Sequence, residues 1–71
     1  MKMYEVWMIR RKNAGGEFSF YAYMSGLMPE WVKDKETAKH FKTENKAKKA
    51  FSEISPYALD AEIVKVRVKQ I

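Results

Sequence analysis

The apolar residues of this chain follow two different repeats, and the helical one lies near its middle. Four of them recur at the three- and four-residue spacing of a single helix face: Ala47, Ala50, Phe51 and Ile54. Thr43 stands just before this run, where its hydroxyl can accept a hydrogen bond from a free backbone N–H of the first turn. The pattern therefore predicts a helix from about Glu44 to the Ser55-Pro56 pair.

Three other stretches show the two-residue repeat of β-strands, in which neighbouring side chains face opposite sides. They cover residues 3–10, 18–24 and 61–71. The last is the clearest, because valines alternate there with basic residues: Val64, Val66 and Val68 against Lys65, Arg67 and Lys69. Asn13 and the Gly15-Gly16 pair suit a tight connection between the first two stretches, which are therefore predicted to form a hairpin.

The segment between the second strand and the helix contains several breaks. Gly26 ends the strand, and Pro29 keeps its predecessor out of helical geometry, which predicts a turn or a short irregular strand around Trp31. Asp34 can cap a brief helix over residues 35–40 with Ala38 and Phe41 turned inward. The whole chain is predicted to be one α+β domain, residues 1–71. A small antiparallel sheet of three to four strands, in β-β-α-β order, carries one main helix across one face.

Only one side of such a sheet can lie beneath the helix. In the second strand Phe18 and Phe20 alternate with Tyr21 and Tyr23. Because a tyrosine hydroxyl needs water or a partner, we predict that the phenylalanines are the buried pair. The predicted contact surface for a protein partner or a second copy then consists of three aromatic residues: Trp7, Tyr21 and Tyr23. The competing interpretation is that these rings pack on the loop of residues 25–33 and on Trp31.

Composition narrows the class of protein. The 71 residues include no cysteine and one histidine, so a disulfide framework and a thiolate zinc site are both excluded. His40 lacks a suitably spaced nucleophile, and a metal site with Glu36 and Glu44 is much less common than a solvated charged face. No stretch approaches the roughly 20 apolar residues of a membrane-spanning helix. We expect a cytoplasmic protein that is not an enzyme and uses no cofactor, metal or membrane.

Charge adds a second type of candidate site. The chain has 14 Lys and Arg against nine Asp and Glu, a net charge of +5. Candidate contacts for phosphate or an acidic partner are basic residues of the helix and the last strand: Lys46, Lys49, Lys65, Arg67 and Lys69. Basic residues near exposed tyrosines can hold phosphates and stack bases. A nucleic-acid-binding module therefore remains an alternative, as does an oligomer that sequesters a nucleotide signal.

One string of residues carries a resemblance to known proteins. It reads W-x2-D-x3-A-x2-F-x-T-x3-A and consists of Trp31, Asp34, Ala38, Phe41, Thr43 and Ala47, behind an aromatic hairpin. This arrangement resembles small phage and prophage proteins of uncharacterised function. The resemblance implies an accessory phage protein in a bacterial host cell, similar in size and lack of catalytic residues to anti-CRISPR inhibitors. We therefore predict that the protein inhibits a bacterial defence protein by stoichiometric binding. Burial of the uncovered aromatic residues by a second copy further predicts a homodimer.

Overall fold

The computed structural model describes residues 3–58 and 60–69, with Lys69 described through its backbone alone. Four strands form one antiparallel sheet: β1 (Met3–Lys12), β2 (Phe18–Ser25), β3 (Met28–Val32) and β4 (Glu62–Lys69). Their order across the sheet is β3-β2-β1-β4. The described part of the chain adds one α-helix, α1 (Glu44–Ile54), followed by a 3-10 turn at Ser55–Tyr57. The predicted α+β fold is confirmed.

The helix begins where its capping residue predicts. Thr43 has an extended backbone, with φ −129° and ψ 155°, and its side chain accepts a hydrogen bond from the Lys46 N–H over 3.3 Å. This bond satisfies one of the N–H groups that the first turn leaves without a helical partner. Ala47 and Ile54 are buried against the sheet, while Phe51 on the same helix face is half-buried. The predicted inward face of α1 is confirmed.

This cap gives a first test of how α1 is held. We expect Thr43→Ala to lower the free energy of unfolding by about 0.5–2 kcal/mol, because the Lys46 N–H loses its acceptor. Thr43→Ser is the matched control, since it keeps the hydroxyl and should stay close to the wild type. Urea unfolding followed by circular dichroism measures both. Equal stability of the two variants would contradict the role of the hydroxyl.

Two hairpins connect the first three strands. In the first, the Asn13 side-chain oxygen accepts hydrogen bonds from the N–H groups of Gly15 and Glu17, each over 3.1 Å. The second is a two-residue turn, since Ser25 pairs with Met28 across Gly26 and Leu27. Gly26 has a φ of +64° and Leu27 does not have a positive φ, which is the arrangement of a type II′ turn. The region around Trp31 is therefore a short strand of a second hairpin, and its pairing with β2 contains one shift of register.

The segment before α1 differs from the sequence prediction. Residues 35–40 form no helix; Asp34 instead closes a turn, in which its side chain accepts a hydrogen bond from the Glu36 N–H over 2.9 Å. The chain then runs extended between β1 and β2. Phe41 exchanges two 2.8 Å hydrogen bonds with Trp7, and the Lys39 N–H donates to the Tyr21 carbonyl over 2.9 Å.

The reason for this difference is long-range. β1 and β2 pair directly only near the first hairpin, where Arg10, Arg11 and Lys12 face β2. Beyond that point the two strands separate, and the N–H and C=O groups that they point toward each other need other partners. The extended segment supplies those partners, which a helix over residues 35–40 would not. Ala38 and Phe41 are both buried, as predicted, but they pack into two different clusters.

The sheet separates these two clusters. The first lies on the side of α1, which we call the helix face: Ile9, Tyr21, Phe41, Ala47, Ile54 and Ala58. The second lies on the opposite side, which we call the open face: Val6, Met8, Ala38 and Val68. Strand alternation explains the division, because Met8 and Ile9 are neighbours in β1 and must point to opposite sides.

Candidate interaction surface

The open face has an apolar centre that reaches all four strands. Its buried residues are surrounded by half-buried ones that pack against them: Phe20, Val32, Val64 and Val66. The second cluster, as far as the structure describes it, contains strand residues and Ala38 but no residue of α1. The side of the sheet that the helix does not cover therefore has a packed apolar cluster of its own, with half-buried apolar residues around it.

Large apolar side chains extend this centre toward solvent. On the open face Tyr4, Phe18, Tyr23 and Met28 are exposed, and Tyr23 and Met28 retain 59% and 58% of their accessible area. Register places them on this side. Tyr4 pairs with Val68, Phe18 is two residues from Phe20, and Tyr23 pairs with Glu30, two residues from Val32. Exposed aromatic and aliphatic side chains gathered on one face are typical of a protein-binding surface.

The strand-two prediction is wrong for the phenylalanines and for Tyr21. Phe18 and Phe20 lie on the open face, whereas Tyr21 is buried beneath α1. The pairing of β2 with β3 shifts between Tyr21 and Tyr23, which is the signature of a β-bulge. This irregularity turns Tyr21 to the helix face and Tyr23 to the open face, although a regular strand would put both on one side.

Trp7 is also misplaced by the prediction. It is half-buried and packs against the first cluster on the helix face, not on an uncovered surface. Trp31 packs there as well, with its ring centroid 6.2 Å from that of Tyr21 and the two planes at 73°. The competing interpretation, in which the aromatic rings pack on Trp31, therefore describes Tyr21. Of the three predicted contact residues, Tyr23 is the one with an exposed side chain.

The buried side chain of Tyr21 carries a polar hydroxyl beneath α1. No side-chain polar atom in the described residues is both buried and unpartnered. Burial of the ring raises the pKa of the Tyr21 hydroxyl above its ordinary value of 10.0, and the nearby Glu53 carboxylate raises it further. The ring thus fills space beneath α1, and the Glu53 carboxylate of α1 is close enough to act on its hydroxyl.

The predicted basic residues lie away from the exposed aromatic ones. Lys65 and Arg67 are exposed on the helix face of β4, because they alternate with the open-face valines. The Lys65 ammonium is 3.9 Å from a Glu5 carboxylate oxygen and 5.7 Å from the centroid of the Trp7 ring. Lys46 and Lys49 are exposed on α1, and the side chain of Lys69 lies outside the described residues. The basic row of β4 and the aromatic residues of the open face therefore do not form one surface.

The border of the open face near the first hairpin carries its own charged pair. The Arg10 Nε donates to a Glu62 carboxylate oxygen over 2.7 Å, and the Arg10 guanidinium carbon is 3.9 Å from the centroid of the Phe18 ring. A guanidinium over an aromatic face is favourable and holds the ring in place. Phe18 is therefore an exposed ring with a guanidinium over one face, and arginine and aromatic residues are enriched where proteins bind each other.

His40 has a structural contact. Its Nε2 lies 2.9 Å from the Lys35 carbonyl, and since a carbonyl can only accept, the ring nitrogen donates. This bond fastens the turn before the extended segment. Among residues 3–58 and 60–69, no three His, Asp or Glu side chains are grouped as metal ligands, and no pocket is found. The one described α-helix is too short and too polar to cross a membrane.

Comparison of the chain with protein-family models, curated proteins and solved structures gave no match in any of the three. What the protein does is therefore inferred from the chemistry of its own surface. Two features of that surface stand out: the apolar open face, and the basic edge of the sheet formed by β4.

Proposed function

We propose that this protein acts by stoichiometric binding to another protein, and that the open face is its main contact surface. The observation that carries the proposal is the position of Tyr23 and Met28, exposed beside an apolar cluster that α1 does not cover. Aromatic side chains in the centre of an interface contribute much of the binding energy. Methionine adds a flexible, polarisable surface that adapts to a partner.

The biological role that we propose is inhibition of a bacterial defence protein by a phage-type accessory protein. Its support is the resemblance of the segment from Trp31 to Ala47. The residues of that motif have structural roles in this fold: Trp31 packs on Tyr21, Asp34 closes a turn, Thr43 caps α1, and Ala38, Phe41 and Ala47 are buried. Such a motif specifies a scaffold, so the choice of partner has to come from residues outside it.

The test is affinity capture from a bacterial lysate, followed by a binding assay with each purified candidate. We expect the double variant Tyr23→Ala, Met28→Ala to remain folded and to bind the captured protein at least tenfold more weakly, as loss of interface anchors does. Tyr57→Ala is the matched control, because Tyr57 is also exposed but lies in the 3-10 turn after α1. That control should bind as the wild type does.

Other outcomes would overturn the proposal. Equal binding by the double variant and the wild type would exclude the open face as the contact surface. The nucleic-acid alternative would be favoured if the protein captured nucleic acid, if that binding weakened steeply with salt, and if the double variant bound as well as the wild type. Light scattering tests whether the chain binds a second copy of itself. If the wild type is a dimer and the double variant is a monomer, the open face is a self-association surface.

A further inference from the structure

The outer side of β4 is a strand edge suited to pairing. β4 is last in the sheet order, and it pairs with β1 through eight consecutive residue pairs without a shift of register. The described chain places no strand on its other side. The opposite edge is less suitable, because β3 has five residues and contains Pro29, which has no N–H to donate. A free, regular strand edge can accept an additional strand.

The hydrogen bonds of Trp7 show which groups of β4 point outward. Trp7 exchanges both of its backbone bonds with Phe41, so its N–H and C=O point away from β4. Its partner across the ladder, Lys65, is therefore in a non-hydrogen-bonded pair, and the Lys65 N–H and C=O point to the outer edge. Because this direction alternates along a strand, Ile63 and Arg67 also present their backbone groups outward.

The side chains along this edge alternate in chemistry. Lys65 and Arg67 are exposed on the helix face, while Val64 and Val66 are half-buried on the open face. Glu5 of β1 pairs with Arg67 in the ladder and lies 3.9 Å from the Lys65 ammonium. One carboxylate beside two cations leaves the edge positively charged. The residues that offer backbone hydrogen bonds are thus also the basic ones.

Because the residues that offer backbone hydrogen bonds are basic, pairing of this edge with a second copy of the chain is disfavoured. In an antiparallel pair of two β4 strands, outward-facing residues must lie opposite outward-facing residues. In the two registers that overlap the strands most fully, Lys65 of one copy would then lie opposite Lys65 or Arg67 of the other. Like charges placed directly opposite each other destabilise a sheet. The complementary strand is an acidic one.

We propose that the β4 edge binds an extended segment of a partner protein in which acidic and apolar residues alternate. The segment adds to the sheet as an antiparallel strand, the orientation with the more stable ladder. Its acidic residues lie opposite Lys65 and Arg67, and its apolar residues continue the valine row of the open face. This inference rests on the proposed function in taking the partner to be a protein, and it assigns the edge a contact that the open face does not make.

The test uses a short peptide of alternating glutamate and valine, blocked at both ends and labelled for fluorescence anisotropy. We expect the peptide to bind the wild-type protein, to bind more weakly as salt is raised, and to bind at least tenfold more weakly to Lys65→Glu, Arg67→Glu. A peptide with lysine in place of glutamate should bind that variant better than it binds the wild type. The matched control is Lys46→Glu, Lys49→Glu, which makes the same change of charge on α1 and should leave binding of the glutamate peptide unchanged.

Two further measurements separate strand addition from attraction by charge. Methylation of alternate backbone nitrogens in the peptide, on the side facing β4, should abolish binding because it removes the donors of the ladder. Amide exchange at Lys65 and Arg67 should slow when the peptide binds. Equal binding by the methylated peptide, or equal loss in the α1 control, would overturn the inference.

The proposals for the β4 edge and for the open face can be tested separately. The open-face variant Tyr23→Ala, Met28→Ala should still bind the peptide, since neither residue lies on β4. If the peptide fails to bind while that variant still loses the captured partner, the edge inference is wrong and the proposed function stands. If the peptide binds but the variant keeps its partner, the open face is wrong and the edge stands.

Discussion

We expect Tyr21→Ala to lower the free energy of unfolding by about 3–5 kcal/mol, the range for buried aromatic residues cut to alanine. Tyr23→Ala should change it by less than about 0.5 kcal/mol, as is usual for an exposed position. The two tyrosines are two residues apart in β2, yet Tyr21 is 8% exposed and Tyr23 is 59% exposed. The bulge between them places one beneath α1 and the other on the open face.

Urea unfolding of the two variants, followed by circular dichroism, measures this difference. Tyr21→Phe is the matched control for the first variant, because it keeps the ring and removes only the hydroxyl. We expect it to be much more stable than Tyr21→Ala. Equal effects of Tyr21→Ala and Tyr23→Ala would mean that β2 is a regular strand and that the two side chains share one face.

The sequence predicts the elements whose signals are local. The spacing from Ala47 to Ile54 identifies both the extent of α1 and its buried face, and Thr43 marks its beginning. The alternation in β4 separates the valines from Lys65 and Arg67 correctly. Each of these signals lies within a few residues of chain, where the repeat of the backbone alone determines which side chains share a side.

Local sequence signals do not predict the conformation of residues 35–40, because this conformation depends on distant strands. Asp34 is a good capping residue, and it does accept a backbone hydrogen bond, but from Glu36 in a turn. Nothing near Lys39 or Phe41 indicates that β1 and β2 separate and need hydrogen-bond partners there. Tertiary pairing overrides local propensity in this segment.

The faces of the sheet could be predicted only in part, and the bulge in β2 is one reason. Another signal was present in the sequence, because the inward face of α1 is built partly from alanines, Ala47 and Ala50. A helix with small residues on its inner face leaves room for large side chains opposite, since interiors are packed at high density. Trp7 and Tyr21 fill that room. Residue volume predicts that these rings lie beneath α1, whereas the polarity of the tyrosine hydroxyl predicts that Tyr21 is exposed.

The open face contains both a buried methionine that belongs to the folded core and an exposed one that is available to a partner. Met8 is fully buried at its centre, although α1 lies on the other side of the sheet. Met28 lies on the same face and is 58% exposed. The same residue type therefore occupies both environments, which allows one substitution to distinguish packing in the monomer from contact with a partner.

We expect Met8→Ala to lower the free energy of unfolding by about 2–5 kcal/mol, because it removes buried methylene groups and leaves a cavity in the second cluster. Met28→Ala should leave it within about 0.5 kcal/mol of the wild type. Urea unfolding measures both variants, and the binding assay with the captured partner then separates their functions. Met28→Ala should weaken partner binding while remaining fully folded. If Met8→Ala proved as stable as the wild type, the second cluster would not be packed in the monomer, and the whole open face would have to be covered by a partner.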